Sequence, residues 1–415
     1  MSQNDEGHVR IEGEQIIMTS FDGSKDMNIY PYLSGFDIEE SIYNSTYTAV
    51  FYFNDGVDLI DNFPILGEEW IDLTFYVTDM AKKTYRFFVQ SVEGQKTNNM
   101  SIKNQFALSC TSEGEINSAK EVYTKRYGFP EKKKYHEIVE EIVTSDWTSG
   151  GSLVEFETTT GFFDYVCNEI RPLQAIDLVK ERAVSETNIS SAFYFFQDHQ
   201  GYHFVTAEKF TGRPEHGPYN LTTVNREELG VVNLNNILAF EITGHGNTIQ
   251  LLKAGGLRNV VKEFDIFTGL YCDKYEFLPP DVESYKKFGS YAPYHTPPFD
   301  NWAKSTPATV KYVAKDGTRF ENLHNENIKW KRPYIERLGD YGATMKVYGN
   351  SNINVGDKVK MDLSQVAYHD SEVPRKYFNG TFFIDSLRQT FYKRDTAQFD
   401  YFMNMSLAKS HFGGE

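Results

Sequence analysis

A chain of 415 residues is longer than one ordinary domain and, at roughly 150 residues per domain, predicts two to three. Its 40% apolar and 24% charged residues argue against wholesale disorder, and an aromatic share of 15% (32 Phe, 27 Tyr, 4 Trp) leans toward β structure. With 42 Lys plus Arg against 58 Asp plus Glu, the net charge of −16 would repel phosphate backbones; it argues against a dedicated nucleic-acid binder and suits a surface past which nucleic acid slides without sticking.

Residues 1–112 read as β throughout. Ser45 to Phe53 is aromatic and β-branched and ends at the turn Asn54-Asp55-Gly56. Ile71, Leu73, Phe75 and Val77 then alternate with polar neighbours, the period of a half-buried strand. Tyr85–Glu93 and Ile102–Thr111 complete an antiparallel meander. Over 113–210 the period changes: Tyr135, Ile138, Val139, Ile142 and Val143 recur at helical spacing. A second helical stretch is predicted from Phe162 through Val184, kinked or split by Pro172. Ala192–Phe196 and Tyr202–Thr206 flank a compact turn in which Gly201 supplies the positive φ.

Residues 211–309 are less regular, with strands expected at Leu238–Thr243 and from Val260 to Glu276, a Gly-rich passage around Gly255-Gly256, and a long Pro-rich loop from Pro279 to Pro307. Part of this region is expected to complete a second β unit. Over 310–415 a short strand at Ala308–Ala314 precedes a helix over 325–342 around Pro333, and β structure then runs to about residue 408.

The last β block echoes the first. Gly67-Glu68-Glu69 opens an alternating strand, followed by Phe87-Phe88-Val89-Gln90-Ser91-Val92 and Gln105-Phe106-Ala107-Leu108-Ser109. Gly356-Asp357 opens Val359, Met361 and Leu363, followed by Phe382-Phe383-Ile384-Asp385-Ser386-Leu387 and Gln398-Phe399-Asp400-Tyr401-Phe402. The matching order of elements reads as an internal duplication.

Chemistry-bearing patterns are sparse. His136-Glu137-Ile138-Val139-Glu140 lacks the second histidine of a zinc helix, and its polar residues are expected on a solvated face opposite the apolar stripe. His199 and His203 flank a hairpin turn without an evident third ligand, and read as turn histidines. Gly244-His245-Gly246-Asn247 is a turn after a strand, with no phosphate-binding helix behind it. Cys167 is expected as a buried structural thiol inside the second helical stretch; Cys110, Cys167 and Cys272 are too widely spaced for a zinc module and fit reduced thiols. Residues 1–30 hold no apolar signal region, and no window approaches a membrane span, so a soluble intracellular product is expected. No catalytic, cofactor-binding or metal-binding residue is assigned.

The passage Lys346-Val347-Tyr348-Gly349-Asn350-Ser351-Asn352-Ile353-Asn354-Val355-Gly356-Asp357-Lys358-Val359 resembles a recurring phrase of phage tail hub proteins, in which a strand ends in Gly-Asn and a Gly opens the next strand of a tube-type barrel. Gly380-Thr381-Phe382-Phe383-Ile384-Asp385-Ser386-Leu387 and the charged turn at Lys393-Arg394-Asp395 fit the same pattern. Upstream, Thr160-Gly161-Phe162-Phe163-Asp164-Tyr165-Val166 and Ala192-Phe193-Tyr194-Phe195-Phe196 resemble that family's central segment. In order along most of the chain, these motifs resemble the central baseplate hub of T-even-type contractile-tailed bacteriophages, related to the hub part of type VI secretion VgrG.

The resemblance implies a mainly β fold with an α+β insertion. Two tube-type antiparallel β-barrel domains (1–112 and 310–415) would flank a central α+β domain (113–210) and an irregular β/loop region (211–309). It further implies a homotrimer whose six barrels ring an axis, a symmetry adaptor between a six-fold tail tube and a three-fold central spike. The implied partners are the spike protein trimer, the tail tube protein, other baseplate proteins and the tape measure protein, with DNA passing the lumen. It implies a virion protein, assembled in the bacterial cytoplasm, with no enzymatic activity. The Pro279–Pro307 stretch and the short C-terminus depart from the pattern. Two rival readings are a tail-tip peptidoglycan hydrolase and a receptor- or glycan-binding tail protein. The spike-type kin usually continue into a β-helical needle, a repeat this sequence lacks.

Overall fold

Alternation decides the first block: in Trp70–Val77 the residues Ile71, Leu73, Phe75 and Val77 are buried, Asp72 is exposed, and Trp70, Thr74 and Tyr76 are half-buried. The computed structural model describes residues 9–12, 15–56, 59, 63, 65–97, 104–148, 151–221, 234–245, 248–254, 259–264, 271–277, 310–314, 323–338, 341–363, 379–393 and 399–409. The Pro-rich stretch 279–307 and the Gly-rich passage at 255–256 lie outside them.

Three short strands, β1 (Val9–Ile11), β2 (Ile17–Thr19) and β3 (Asp26–Asn28), precede β4 (Leu33–Ser41), β5 (Thr48–Asp55), β6 (Trp70–Val77), β7 (Lys83–Thr97) and β8 (Asn104–Ser112). The central segment holds β9 (Tyr123–Tyr127), β10 (Leu153–Phe156), β11 (Thr159–Thr160), β12 (Tyr165–Ile170), β13 (Val184–Ser185), β14 (Phe193–Gln197) and β15 (Tyr202–Thr206). Helices run over Glu113–Lys120, Tyr135–Glu141 and Pro172–Arg182. Then come β16 (Glu215–Asn220), β17 (Ile237–His245), β18 (Asn259–Phe264), β19 (Tyr271–Phe277), β20 (Val310–Ala314), a helix at Leu323–Leu338, and β21 (Tyr341–Tyr348), β22 (Lys358–Asp362), β23 (Gly380–Lys393) and β24 (Phe399–Lys409).

The fold is mainly β around one large, largely antiparallel sheet, ordered β17-β21-β24-β23-β4-β5-β8-β7-β6-β2-β3, with β22 also pairing β23. This order contains the duplication in full. The run β4-β5-β8-β7-β6 recurs as β17-β21-β24-β23-β22. Registers recur with it: Ile71 faces Phe87 as Val359 faces Phe382. The irregularities recur as well. A bulge separates Val89↔Cys110 from Ser91↔Ser109, and another separates Ile384↔Leu407 from Ser386↔Ser406. A second bulge separates Leu33↔Phe53 from Gly35↔Tyr52, matched between Ile237↔Val347 and Ala239↔Lys346. Bulges are specific features of a strand pair, so two shared bulges mark a common backbone plan rather than two similar meanders. The repeats meet where β23 of the second pairs with β4 of the first, from Ser386↔Ser41 to Tyr392↔Gly35.

The helix predicted over 162–184 is half strand. Tyr165–Ile170 is extended and pairs antiparallel with Tyr123–Tyr127, and the helix starts at Pro172. Proline disfavours helical geometry at Arg171 before it and is at home in a first helical turn, so it begins this helix instead of kinking a longer one. Cys167 is buried as expected, but in β12 rather than in a helix. The stretch Val260–Glu276 is two antiparallel strands, β18 and β19, with β20 pairing parallel to β18. The helix around Pro333 ends at Leu338, and Tyr341 already belongs to β21.

One apolar core runs beneath both repeats and a second fills the central segment around Ile138, Ile142, Cys167, Ile176 and Val179. The β14–β15 hairpin is buried on both faces: Phe195, Tyr202 and Phe204 enter the central core, whereas Phe196 and Val205 enter the first. Successive strand residues point to opposite faces, so a continuous apolar run is what a strand between two cores requires. Gly201, at φ +146, closes the hairpin where a Cβ would overlap the Ser152 carbonyl oxygen and Val154.

Candidate functional site

The motifs singled out for chemistry do not converge. His136 is buried rather than on a solvated face; Glu137 and Glu140 beside it are exposed. Its Nδ1 accepts the Thr159 backbone N–H at 3.0 Å and lies 2.9 Å from the Thr159 hydroxyl, so the ring ties its helix to β11, and burial pushes its pKa down. The helical wheel missed this because His136 adjoins the apolar stripe, and a local hydrogen bond compensates its burial. Burial likewise raises the Cys167 thiol, which is not a poised nucleophile. Among the described residues no group of three or more His, Cys, Asp and Glu side chains could hold a metal ion.

What converges instead is a buried polar junction where both repeats meet the hairpin. His203 lies in β15, not in the turn. Its Nε2 is 3.1 Å from Asp198 Oδ2 and its Nδ1 is 3.3 Å from Glu155 Oε2, and Arg213 Nη2 reaches the same Glu155 oxygen at 2.5 Å. Arg213 Nη1 donates to the Val355 carbonyl at 2.9 Å, carrying the chain of contacts into the second repeat. Burial works against charge on His203, but the Asp198 and Glu155 carboxylates outweigh it and raise its pKa. Burial would raise Asp198 too; the His203 ring reverses this and holds the carboxyl at about 2. His199, by contrast, is pushed down to about 4 by burial and the nearby Lys83 ammonium.

From the first repeat, Lys83 is fully buried and donates to the Ile353 carbonyl at 2.5 Å. Burial lowers its pKa, opposed by Glu40, Asp198 and Asp357. Burial pushes Glu40 up to about 6 despite the Lys83 charge. Glu40 accepts the Tyr85 hydroxyl at 2.9 Å; Gln389 Nε2 donates to that hydroxyl at 2.9 Å, and Tyr401 donates to Gln389 Oε1 at 2.7 Å. This chain stitches β4 and β7 to β23 and β24. Sequence reasoning overlooked it, although Lys83 is in phase with Tyr85 and Phe87 on the buried face of β7. The groups are largely buried and most of them are paired, an arrangement that ties both repeats and the hairpin together.

Gly349, from the motif Gly349-Asn350, sits over this chain: its N–H donates to the Tyr401 carbonyl at 2.8 Å, and a Cβ there would fall inside the Tyr401 ring. Gly349→Ala is expected to displace the ring, break its hydrogen bond to Gln389 and cost about 1–3 kcal/mol, read as a lower denaturant midpoint.

The opposite face of the sheet carries charged and aromatic side chains from both repeats. Carboxylates (Asp37, Glu39, Asp72, Glu93, Glu241, Asp400) and cations (Arg86, Lys346, Lys360, Arg388) both stand on it, placed there by the strand alternation. Arg388 Nη2 binds Asp37 Oδ2 at 2.7 Å and the Tyr52 hydroxyl donates to the same oxygen at 3.0 Å, across the seam between repeats.

No family model matches the chain, and no curated protein is similar to it in sequence. Solved structures are similar to it in fold. A tail protein from Neisseria meningitidis MC58 aligns with TM-score 0.58 and 10% identity over 95% of this chain and 96% of that one. The 43 kDa tail protein of prophage MuSo2 from Shewanella oneidensis aligns with TM-score 0.56 and 9% identity over 95% and 98%. Along nearly its whole length the chain therefore shares its fold with these two tail proteins, one of them from a prophage, in keeping with the resemblance that its own motifs carry.

Proposed function

We propose that this chain is a non-enzymatic structural hub of a contractile phage tail baseplate. Each chain supplies two tube-type barrel units, 1–112 and 310–415. The central α+β domain 113–210 and the region 211–309, part of which completes the second unit, hold them together. Three chains place six units around an axis; that ring meets a six-fold tail tube on one side and a three-fold central spike trimer on the other. The tape measure protein and other baseplate proteins are further partners.

The observation that carries this reading is the duplication of five strands with their bulges. A doubled unit is what converts three-fold into pseudo-six-fold symmetry. The net charge of −16 suits the wall of a DNA channel, since carboxylates repel phosphate. The largely buried junction, most of whose groups are paired, supports a holding rather than a reacting role, and the virion tail is the site of action.

Electron microscopy of the purified full chain tests the proposal. Six similar lobes around a central hole are expected in end-on views. Isolated single-chain particles would contradict it, and release of soluble fragments from purified peptidoglycan would favour the hydrolase reading.

A further inference from the structure

The seam inside the chain describes a second seam that the described residues do not make with one another. At the internal seam, the part of β23 beyond its pairing with β22 receives β4 along its free edge. In the other repeat the counterpart of β23 is β7, and the counterpart of β4 is β17. Among the described residues, β7 beyond Phe88 pairs with β8 alone, and β17 pairs with β21 alone and ends the sheet. Among the described residues there is thus one joined pair of edges and one unjoined pair of the same two kinds.

The joined and unjoined edges differ in the way a missing partner predicts. At the internal seam Phe36, Ile38 and Leu387 are fully buried. Their counterparts Phe240 and Ile242 are half-buried, and Val92 is 38% exposed. The sequence Gly35-Phe36-Asp37-Ile38 returns as Ala239-Phe240-Glu241-Ile242, so the edge entering the seam is duplicated in residue type as well as in backbone.

We infer that β17 of one copy of this chain pairs antiparallel with residues 91–97 of β7 in the next copy, in the register of the internal seam. This rests on the ring proposed above and specifies its interface. Carried across the duplication, Arg388↔Glu39 becomes Glu93↔Gly244, and Leu387↔Glu40 becomes Val92↔His245. Beyond Glu93, β7 holds one residue more than β23, an irregularity between Glu93 and Lys96 at which Gly94 adopts φ +67. The extra residue shifts Lys96 to the position opposite Glu241, in place of Thr390 opposite Asp37. The interface is head-to-tail, because each copy offers a different edge at each end; such contacts close into rings when the rotation allows. Closure also removes both open edges, which would otherwise template uncontrolled pairing.

Cysteine pairing tests the register. Directly opposed residues in an antiparallel pair lie within the Cα separation a disulfide needs. Gly244 has open space where a Cβ would go, and Glu93 is exposed, so both positions accept the change. The full chain carrying Glu93→Cys and Gly244→Cys should form covalent dimers and trimers under mild oxidation, reversed by reductant, whereas each single variant and the displaced pair Glu93→Cys with Thr344→Cys should not. The mass of the same protein under reducing conditions separates the possible failures. A reduced trimer that gives no cross-link, or that links equally through the displaced pair, overturns this register and leaves the ring standing. A reduced monomer, for the variant and the parent alike, overturns both.

Discussion

Lys83→Met should lower the unfolding free energy by about 3–5 kcal/mol, although the substitution keeps the side chain's length and apolar stem. Lys83 is fully buried, and the carboxylates of Glu40, Asp198 and Asp357 all act on its charge. Removing the cation leaves these carboxylates without their shared counter-charge, and the Ile353 carbonyl without its 2.5 Å donor. Its neighbour Lys82 is the control: with a side chain 56% exposed and paired to Glu12 at the surface, Lys82→Met should leave the denaturant midpoint unchanged. Adding Glu40→Gln to Lys83→Met should recover part of the loss, because the neutral amide no longer needs a cation, and a double-mutant cycle measures that coupling. A Lys83→Met protein as stable as the parent would remove the junction from the account.

Phe36→Ala should cost a comparable amount, about 3–5 kcal/mol, for a different reason. Phe36 is fully buried on β4 at the seam between repeats. Its ring stacks on Phe391 at 4.2 Å and on Phe51 at 5.5 Å, and meets Phe399 edge-on at 5.5 Å. Truncation empties a site bounded by rings from both repeats, and β-sheet pairing on either side restricts how far the walls can collapse. Denaturant unfolding checks the size of the loss. A loss below about 1 kcal/mol would show that the repeats are held together elsewhere.

Residues whose partners are near in sequence were legible. The alternation of Ile71, Leu73, Phe75 and Val77 and the helical stripe at Tyr135–Val143 need no tertiary information, and both elements formed. The duplication was legible through Phe87-Phe88 and Phe382-Phe383, but its first strand escaped notice. Gly35-Phe36-Asp37-Ile38 and Ala239-Phe240-Glu241-Ile242 stand at different distances from the rest of their repeats, with β18–β20 and the helix Leu323–Leu338 interposed in one case. The region 162–184 misled because Tyr165–Ile170 has mixed exposure and takes its strand state from a partner some forty residues upstream. The junction was illegible as a set: Glu40, Lys83, Asp198, His203 and Arg213 come from β4, β7, the β14–β15 hairpin and the segment before β16, and pairing between them, not local pattern, makes their burial tolerable.

The central claim is that the duplicated edges join copies of this chain into a closed ring, and the most direct measurement is the mass of the full-length protein in solution by light scattering across a range of concentrations. The account predicts a species of three 47.8 kDa chains that persists on dilution. A single-chain mass at every concentration, with the fold intact by circular dichroism, would contradict it.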